Sequence, residues 1–167
     1  MLRIVSNMSQ LHFSALMDVY HESNLSNGAE LYSSDPPEVP LYKAQTDFYH
    51  YLNSVFFQQS DSYYAIWESE GVYVSALRLE PYSDGLLLCA LETAPDARGK
   101  GFAFTLMRNI LAHLKEQGSG IVYSHVSKKN TASLAVHEKC GFKVVKDCAV
   151  YSDGSVMQNH FTLAYRF

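Results

Sequence analysis

Cysteine is scarce in this chain, with three residues in 167, and Cys89, Cys140 and Cys148 are spaced too widely to form a close metal-binding pair. Their odd number argues against a disulfide framework, so the expectation is a reducing, cytoplasmic setting. No apolar run approaches the roughly twenty residues of a membrane span, and Met1 to Val5 is too short and too quickly polar for a secretory leader. No excess of positive charge is present either. The formal net charge is −4, which argues against a dedicated nucleic-acid surface. Lys128 and Lys129 are too few to change this and read as a solvated loop or as a local contact to phosphates. The seven histidines show neither metalloprotease spacing nor a Cys-rich ligand set, so no metal is expected. There is no Gly-x-Ser-x-Gly nucleophile elbow. Internal repeats and low-complexity stretches are also lacking.

What remains is a globular composition, 47% hydrophobic and 18% charged, long enough to bury a core without staples. A single domain over residues 1–167 is expected. The first strand reads near Leu2 to Ser6 and a helix from about Ser9 to Ser23, with Leu11, Ala15, Leu16 and Val19 as its apolar stripe. Residues 24–42 hold Asn27-Gly28, Asp35-Pro36-Pro37 and Pro40, which predicts a loop. An aromatic-rich helix follows from about Tyr42 to Gln58. Strands are predicted at Tyr63 to Glu68 and Val72 to Leu79, turned at Glu70-Gly71, and again at Leu86 to Leu91 after Ser83-Asp84-Gly85. The end of the chain reads as a hairpin, Lys143 to Tyr151 and Phe161 to Phe167.

The densest signal lies between Thr93 and Ala103, Thr-Ala-Pro-Asp-Ala-Arg-Gly-Lys-Gly-Phe-Ala. It joins the apolar strand to a helix whose stripe is Phe102, Leu106, Ile110 and Leu114. The first turn of that helix offers unpaired N–H groups and the positive end of a dipole. Gly99 and Gly101 clear side chains from an anion's path, and Arg98 and Lys100 add positive charge. A Walker loop would need Ser or Thr after Lys100, where Gly101 stands. A dinucleotide fingerprint would need Gly or Ala at position 104, which is Phe. A second segment runs from Asn130, a good N-cap, to Gly141-Phe142. At about 100° per residue Asn130 and His137 fall near one azimuth and would look into one cleft.

Arg98-x-x-Gly101-x-Ala103, followed about thirty residues on by Asn130 and Gly141-Phe142, resembles the Gcn5-related N-acetyltransferase (GNAT) superfamily; the strong resemblance covers about residues 86–142. It implies a mixed α/β (α+β) fold, with a mostly antiparallel central sheet splayed between its fourth and fifth strands and flanked by helices. The implied activity is direct transfer of an acetyl group from acetyl-coenzyme A to a primary amine in a ternary complex, without a covalent enzyme intermediate. By resemblance, Thr93, Arg98, Gly99, Lys100, Gly101, Phe102 and Ala103 bind the coenzyme and Asn130 orients its pantetheine arm. His137 stands where the family has a Tyr facing the departing thiolate. It reads as the acid that protonates the sulfur, as a coenzyme-positioning group, or as a half-buried ring bound to a carbonyl. Glu92 ends the strand near the implied reaction centre and reads as the base for the amine or as a solvated carboxylate. His125 on the facing strand is an alternative base or a core histidine.

The acceptor is expected to be a small cationic amine, drawn by Glu22, Glu30, Asp35 and Glu38 toward a pocket lined by Tyr42, Phe48, Tyr49, Tyr51 and Phe56. A peptide amine is a second reading of the same activity. A non-catalytic acyl-coenzyme A sensor or interaction module is the reading of a different class. No nucleic-acid or membrane partner is expected, and the apolar residues of the terminal hairpin are compatible with a homodimer.

Overall fold

The computed structural model describes residues 1–167. Its main sheet has seven strands: β1 (Leu2–Val5), β2 (Tyr63–Ser69), β3 (Val72–Tyr82), β4 (Gly85–Thr93), β5 (Ile121–Ser127), β6 (Lys143–Lys146) and β9 (His160–Arg166). Their spatial order is β1-β2-β3-β4-β5-β9-β6, and a separate small hairpin joins β7 (Ala149–Val150) to β8 (Val156–Met157). Every pairing in the main sheet is antiparallel except β4 with β5. A parallel pair needs a crossover, and α4 (Phe102–Glu116) supplies it.

Alternation along the strands builds two cores. Leu77, Leu79 and Leu88 face Leu106, Met107, Ile110 and Leu114 of α4. On the other face Tyr64, Ile66 and Ala76 meet Leu16 and Val19 of α1 (Phe13–Val19) and Leu52 of α3 (Pro40–Ser54). No helix is long and apolar enough to cross a membrane.

Three sequence expectations are corrected by this arrangement. The helix expected over residues 9–23 is a 3-10 turn at Met8–Gln10, then α1, then α2 (His21–Leu31). The predicted loop at 24–42 therefore contains most of a helix. Gly28 does not break α2; it lets α2 lie on the start of α3, where a Cβ would fall 2.6 Å from the Pro40 carbonyl oxygen. The terminal segment forms β6 and β7 in place of one strand, and its last strand pairs with β5 and β6.

The parallel pairing of β4 with β5 covers only Leu86–Leu88 against Val122–Ser124. At the closed end Gly85 permits the approach, since a Cβ there would sit 2.3 Å from the Ile121 carbonyl oxygen. Past Leu88 the strands separate. Pairing with β3 also slips: Arg78 faces Cys89, but Ala76 faces Glu92. The extra residue is accommodated at Ala90, whose φ is +52°, a β-bulge. Its free carbonyl accepts a 2.7 Å hydrogen bond from the Tyr20 hydroxyl. Because side chains alternate with period two, this one-residue slip puts Glu92 on the same sheet face as Arg78.

Candidate active site

The opening beyond Leu88 leads into a cleft of about 800 Å³ bounded by the end of β4, the loop into α4, and α5 (Thr131–Lys139). Thr93, Arg98, Gly99, Gly101, Phe102, Ala103 and Asn130 line it, together with Glu92, Ser133 and Val136. Lys100 does not; its Nζ donates to the Asp96 carbonyl at 3.0 Å and faces a neighbouring groove.

Gly101 is the residue before α4 and has φ +81°, while Gly99 has φ +74°. L side chains are disfavoured there, and nothing lies within 4 Å of where either Cβ would be. The loop therefore turns sharply and leaves open room before the first amides of a fifteen-residue helix. That combination suits a diphosphate. On the cleft's other wall β4 has no β5 partner beyond Leu88, so its edge is available to an extended amide-bearing arm. The site fits coenzyme A in both respects.

Arg98 bridges rather than floats. Its Nη1 meets Glu22 Oε2 of α2 at 2.7 Å and its Nε donates to the Thr93 carbonyl at 3.2 Å. Thr93 Oγ1 lies 3.1 Å from Ser75 Oγ, which donates to the Glu92 carbonyl at 2.6 Å. These contacts hold the end of β4. Asn130 accepts from the Ser133 amide at 3.0 Å and caps α5.

His137 does not reach the cleft. It is 1% exposed, its Nδ1 donates to the Ser133 carbonyl at 2.8 Å, and its Nε2 accepts from Ser124 Oγ at 2.9 Å. Burial pulls the imidazole below its ordinary value, against the opposing effect of the Ser133 carbonyl. The expectation of one shared azimuth fails because Asn130 is the N-cap, with φ −85° and ψ +73°, so helical spacing does not apply across it. Ala132, Ser133 and Val136 face the cleft instead. His125 lies outside both cavities described here. It packs edge-on against Tyr82 and Tyr151, and neither ring nitrogen has a partner. Burial is the main cause that lowers it, followed by His160 and Lys146.

Glu92 stands at a junction. Besides the cleft it lines a second cavity of about 340 Å³ under α2 and α3, with Tyr20, Ser23, Asn24, Phe48, Tyr51 and Arg78 among its walls. Burial raises its carboxyl above the ordinary value, while Ser23 and Arg98 stabilise the charged form and Glu22 opposes them. Of the aromatics expected in an acceptor pocket, Phe48 and Tyr51 line this cavity. Tyr42 and Tyr49 face solvent and Phe56 is core. The expected acidic attractors are elsewhere: Asp35 pairs with Lys43, Glu22 with Arg98, and Glu30 and Glu38 are exposed outside the cavity. Arg78, Ser23 and Ser133 had no motif to mark them. Lys128 pairs with Asp147 at 2.9 Å. No group of three His, Cys, Asp or Glu side chains could hold a metal ion.

A splayed β4–β5 pair, a glycine turn opening a helix, and a second cavity meeting the first at one carboxylate define an acyltransferase-like architecture. The family model for the acetyltransferase (GNAT) family matches residues 25–142, and the chain belongs to that family. The PaiA N-acetyltransferase of Thermoplasma acidophilum, solved in complex with coenzyme A, superposes with a TM-score of 0.67 at 14% identity over 100% of this chain and 99% of that one. The ribosomal-protein-S18-alanine N-acetyltransferase of Escherichia coli gives 0.64 at 15% identity, covering 99% and 94% of the two chains. A ribosomal-protein-alanine N-acetyltransferase of Brucella melitensis gives 0.64 at 17% identity, over 100% and 99%. At these identities the likeness is one of fold. No curated protein matches the sequence.

Proposed function

We propose that residues 1–167 form one N-acetyltransferase domain that moves an acetyl group from acetyl-coenzyme A to the primary amine of a small molecule, by direct attack in a ternary complex. The observation that carries this reading is the meeting of the two cavities at Glu92. Acetyl-coenzyme A supplies the acyl group as an activated thioester. The amides of Phe102 to Phe104 and the space over Gly99 and Gly101 receive its diphosphate, with the Arg98 charge beside them; Lys100 adds long-range attraction only. Thr93 and the free edge of β4 receive the pantetheine arm, and the amides near Glu92 and Thr93 polarise the thioester oxygen. Asn130 keeps α5 in place beside that arm.

Glu92 takes the proton from the incoming ammonium. Burial raises its carboxyl, which makes it a better base than a solvated one. His137 serves as a positioning residue that ties α5 to β5. Ser133 of α5 lines the cleft, with its Oγ 3.3 Å from His137 Nδ1, and we assign to its hydroxyl the hydrogen bond to the departing sulfur.

The test is calorimetric titration with acetyl-coenzyme A and coenzyme A, followed by thiol release over a panel of polyamines, amino acids, aminoglycosides and peptides. Binding with amine-dependent thiol release is expected. Binding without turnover on any amine would favour a sensor, and absence of binding would overturn the reading.

A further inference from the structure

We infer that the acceptor amine carries its own compact oxyanion, a carboxylate or a phosphate, and that Arg78 receives that anion while the amine points to Glu92. This deepens the transferase reading and rests on it. Arg78 enters the smaller cavity from the middle of β3, opposite Cys89. Its guanidinium lies 5.9 Å from the Phe48 ring, 5.3 Å from Tyr51 and 5.7 Å from Phe56. It takes part in none of the ion pairs of the molecule. Its Nε is buried without a hydrogen-bond partner. An arginine keeps its charge at any physiological pH, and a desolvated charge without a counterion is costly. Three ring faces offset that cost in part. Ring faces cannot accept its N–H donors, and the Tyr51 hydroxyl and Cys89 thiol beside it are single neutral groups, whereas the planar fork matches a carboxylate or phosphate.

The acids nearby do not take this place. Asp47 lines the cavity but is exposed and accepts from the Tyr32 hydroxyl. Glu80, two residues along β3 on the same face, makes no ion pair with Arg78. Glu92 faces Ala76, two residues from Arg78 and about 7 Å along the strand. A compact amino acid bridges that span with a hydrogen bond at each end. The cavity volume of about 340 Å³ is at the small end of ligand pockets. A purely cationic amine pairs with Glu92 but leaves the Arg78 guanidinium without a counterion. The expected cationic acceptor therefore becomes a zwitterion.

The experiment is calorimetric binding of matched pairs, with and without saturating coenzyme A. Small amino acids are paired with their amides, and phosphoethanolamine with ethanolamine. Each pair is run on the wild type, Arg78→Met and Arg78→Lys. The anion-bearing member is expected to bind the wild type at least about tenfold more tightly. That ratio should fall to near one in Arg78→Met and partly survive in Arg78→Lys. The carboxylate and phosphate arms decide which oxyanion fits. Unchanged coenzyme A affinity would show that the variants are folded; should Arg78→Met not fold, the wild-type and Arg78→Lys ratios decide alone. Equal affinity within every wild-type pair, or a ratio that persists in Arg78→Met, would overturn the inference. Loss of coenzyme A binding in the wild type would instead remove the transferase reading, and the pairs run without coenzyme would still report on Arg78.

Discussion

The two cavities that meet at Glu92 are built from different material. The larger one is mostly backbone: an unpaired strand edge, two glycines with positive φ and the amides that open α4. The smaller one is mostly side chain, with Asn24 from α2, Phe48 and Tyr51 from α3, and Arg78 from β3. A site made of backbone tolerates change in most side chains but fixes the few small residues that let a ligand approach. A site made of side chains can be rebuilt for another ligand without touching the fold. This division suits an enzyme class with one donor and many acceptors.

The sharpest way to break the backbone half is to fill it. Gly101→Trp places a large side chain in the space before α4 at a φ of +81°, where an L residue costs about 1–2 kcal/mol in strain alone. Coenzyme A affinity should fall at least about 100-fold, a loss of about 2.7 kcal/mol, while circular dichroism shows a folded protein. Retained affinity in a folded variant would remove the diphosphate from this turn.

Glu92 tests the junction. Glu92→Gln keeps the shape and removes the basic oxygen, so kcat/KM should drop about 10²-fold or more, with coenzyme A affinity little changed. In the wild type, kcat/KM should rise with pH through a carboxylate value above the ordinary one, because burial holds Glu92 there. The same shift has a stability sign. The contribution from burying the neutral acid is present below the unfolded value and is lost as pH rises through the folded value. A Glu92→Gln profile with the same acidic limb as the wild type would assign the base elsewhere.

His137 separates chemistry from packing. As an acid to the leaving sulfur it would cost the enzyme orders of magnitude when replaced. As a tie between Ser133 and Ser124 it costs stability instead. His137→Phe is therefore expected to lower the unfolding free energy by about 1–3 kcal/mol, since Ser124 Oγ loses its partner, and to leave kcat within a few-fold. Burial lowers the imidazole, so its contribution is complete above the unfolded value of about 6.5 and is lost as pH falls through the lower native one. Urea unfolding at pH 7.5 and 5.5 should show a smaller pH dependence in the variant. His125 shifts in the same direction and accounts for part of what remains. A hundredfold loss of kcat with normal stability would restore the acid role.

The same contrast explains what could be read from the sequence. The run from Thr93 to Ala103 was legible because backbone recognition concentrates glycine and alanine in one contiguous stretch. The splay followed from the resemblance that this stretch carries. The bulge at Ala90 was not legible, since alanine is no marker of positive φ, and with it went the face on which Glu92 emerges. Gly28 was misread because a glycine chosen for close helix contact looks the same as one chosen for a turn. Arg78 carried no local signal at all. Its neighbours Phe48, Tyr51 and Phe56 are more than twenty residues away in sequence, and an arginine in an alternating strand reads as a solvent-facing position until the helices that cover it are placed.

The smallest expected effect concerns the ion pair that ties α2 to the loop before α4. Arg98 and Glu22 meet at 2.7 Å, with 49% and 54% of their side chains exposed, so the pair contributes at most about 1 kcal/mol to stability. Its interest lies in competition. While Glu22 holds Arg98, the charge offered to a diphosphate is partly neutralised. Glu22→Gln should therefore tighten coenzyme A binding a few-fold at low ionic strength, and the gain should shrink in high salt as screening sets in. Weaker binding in Glu22→Gln would mean the reverse: that the carboxylate aims Arg98 at the coenzyme, and that the acceptor side helps to organise the donor side.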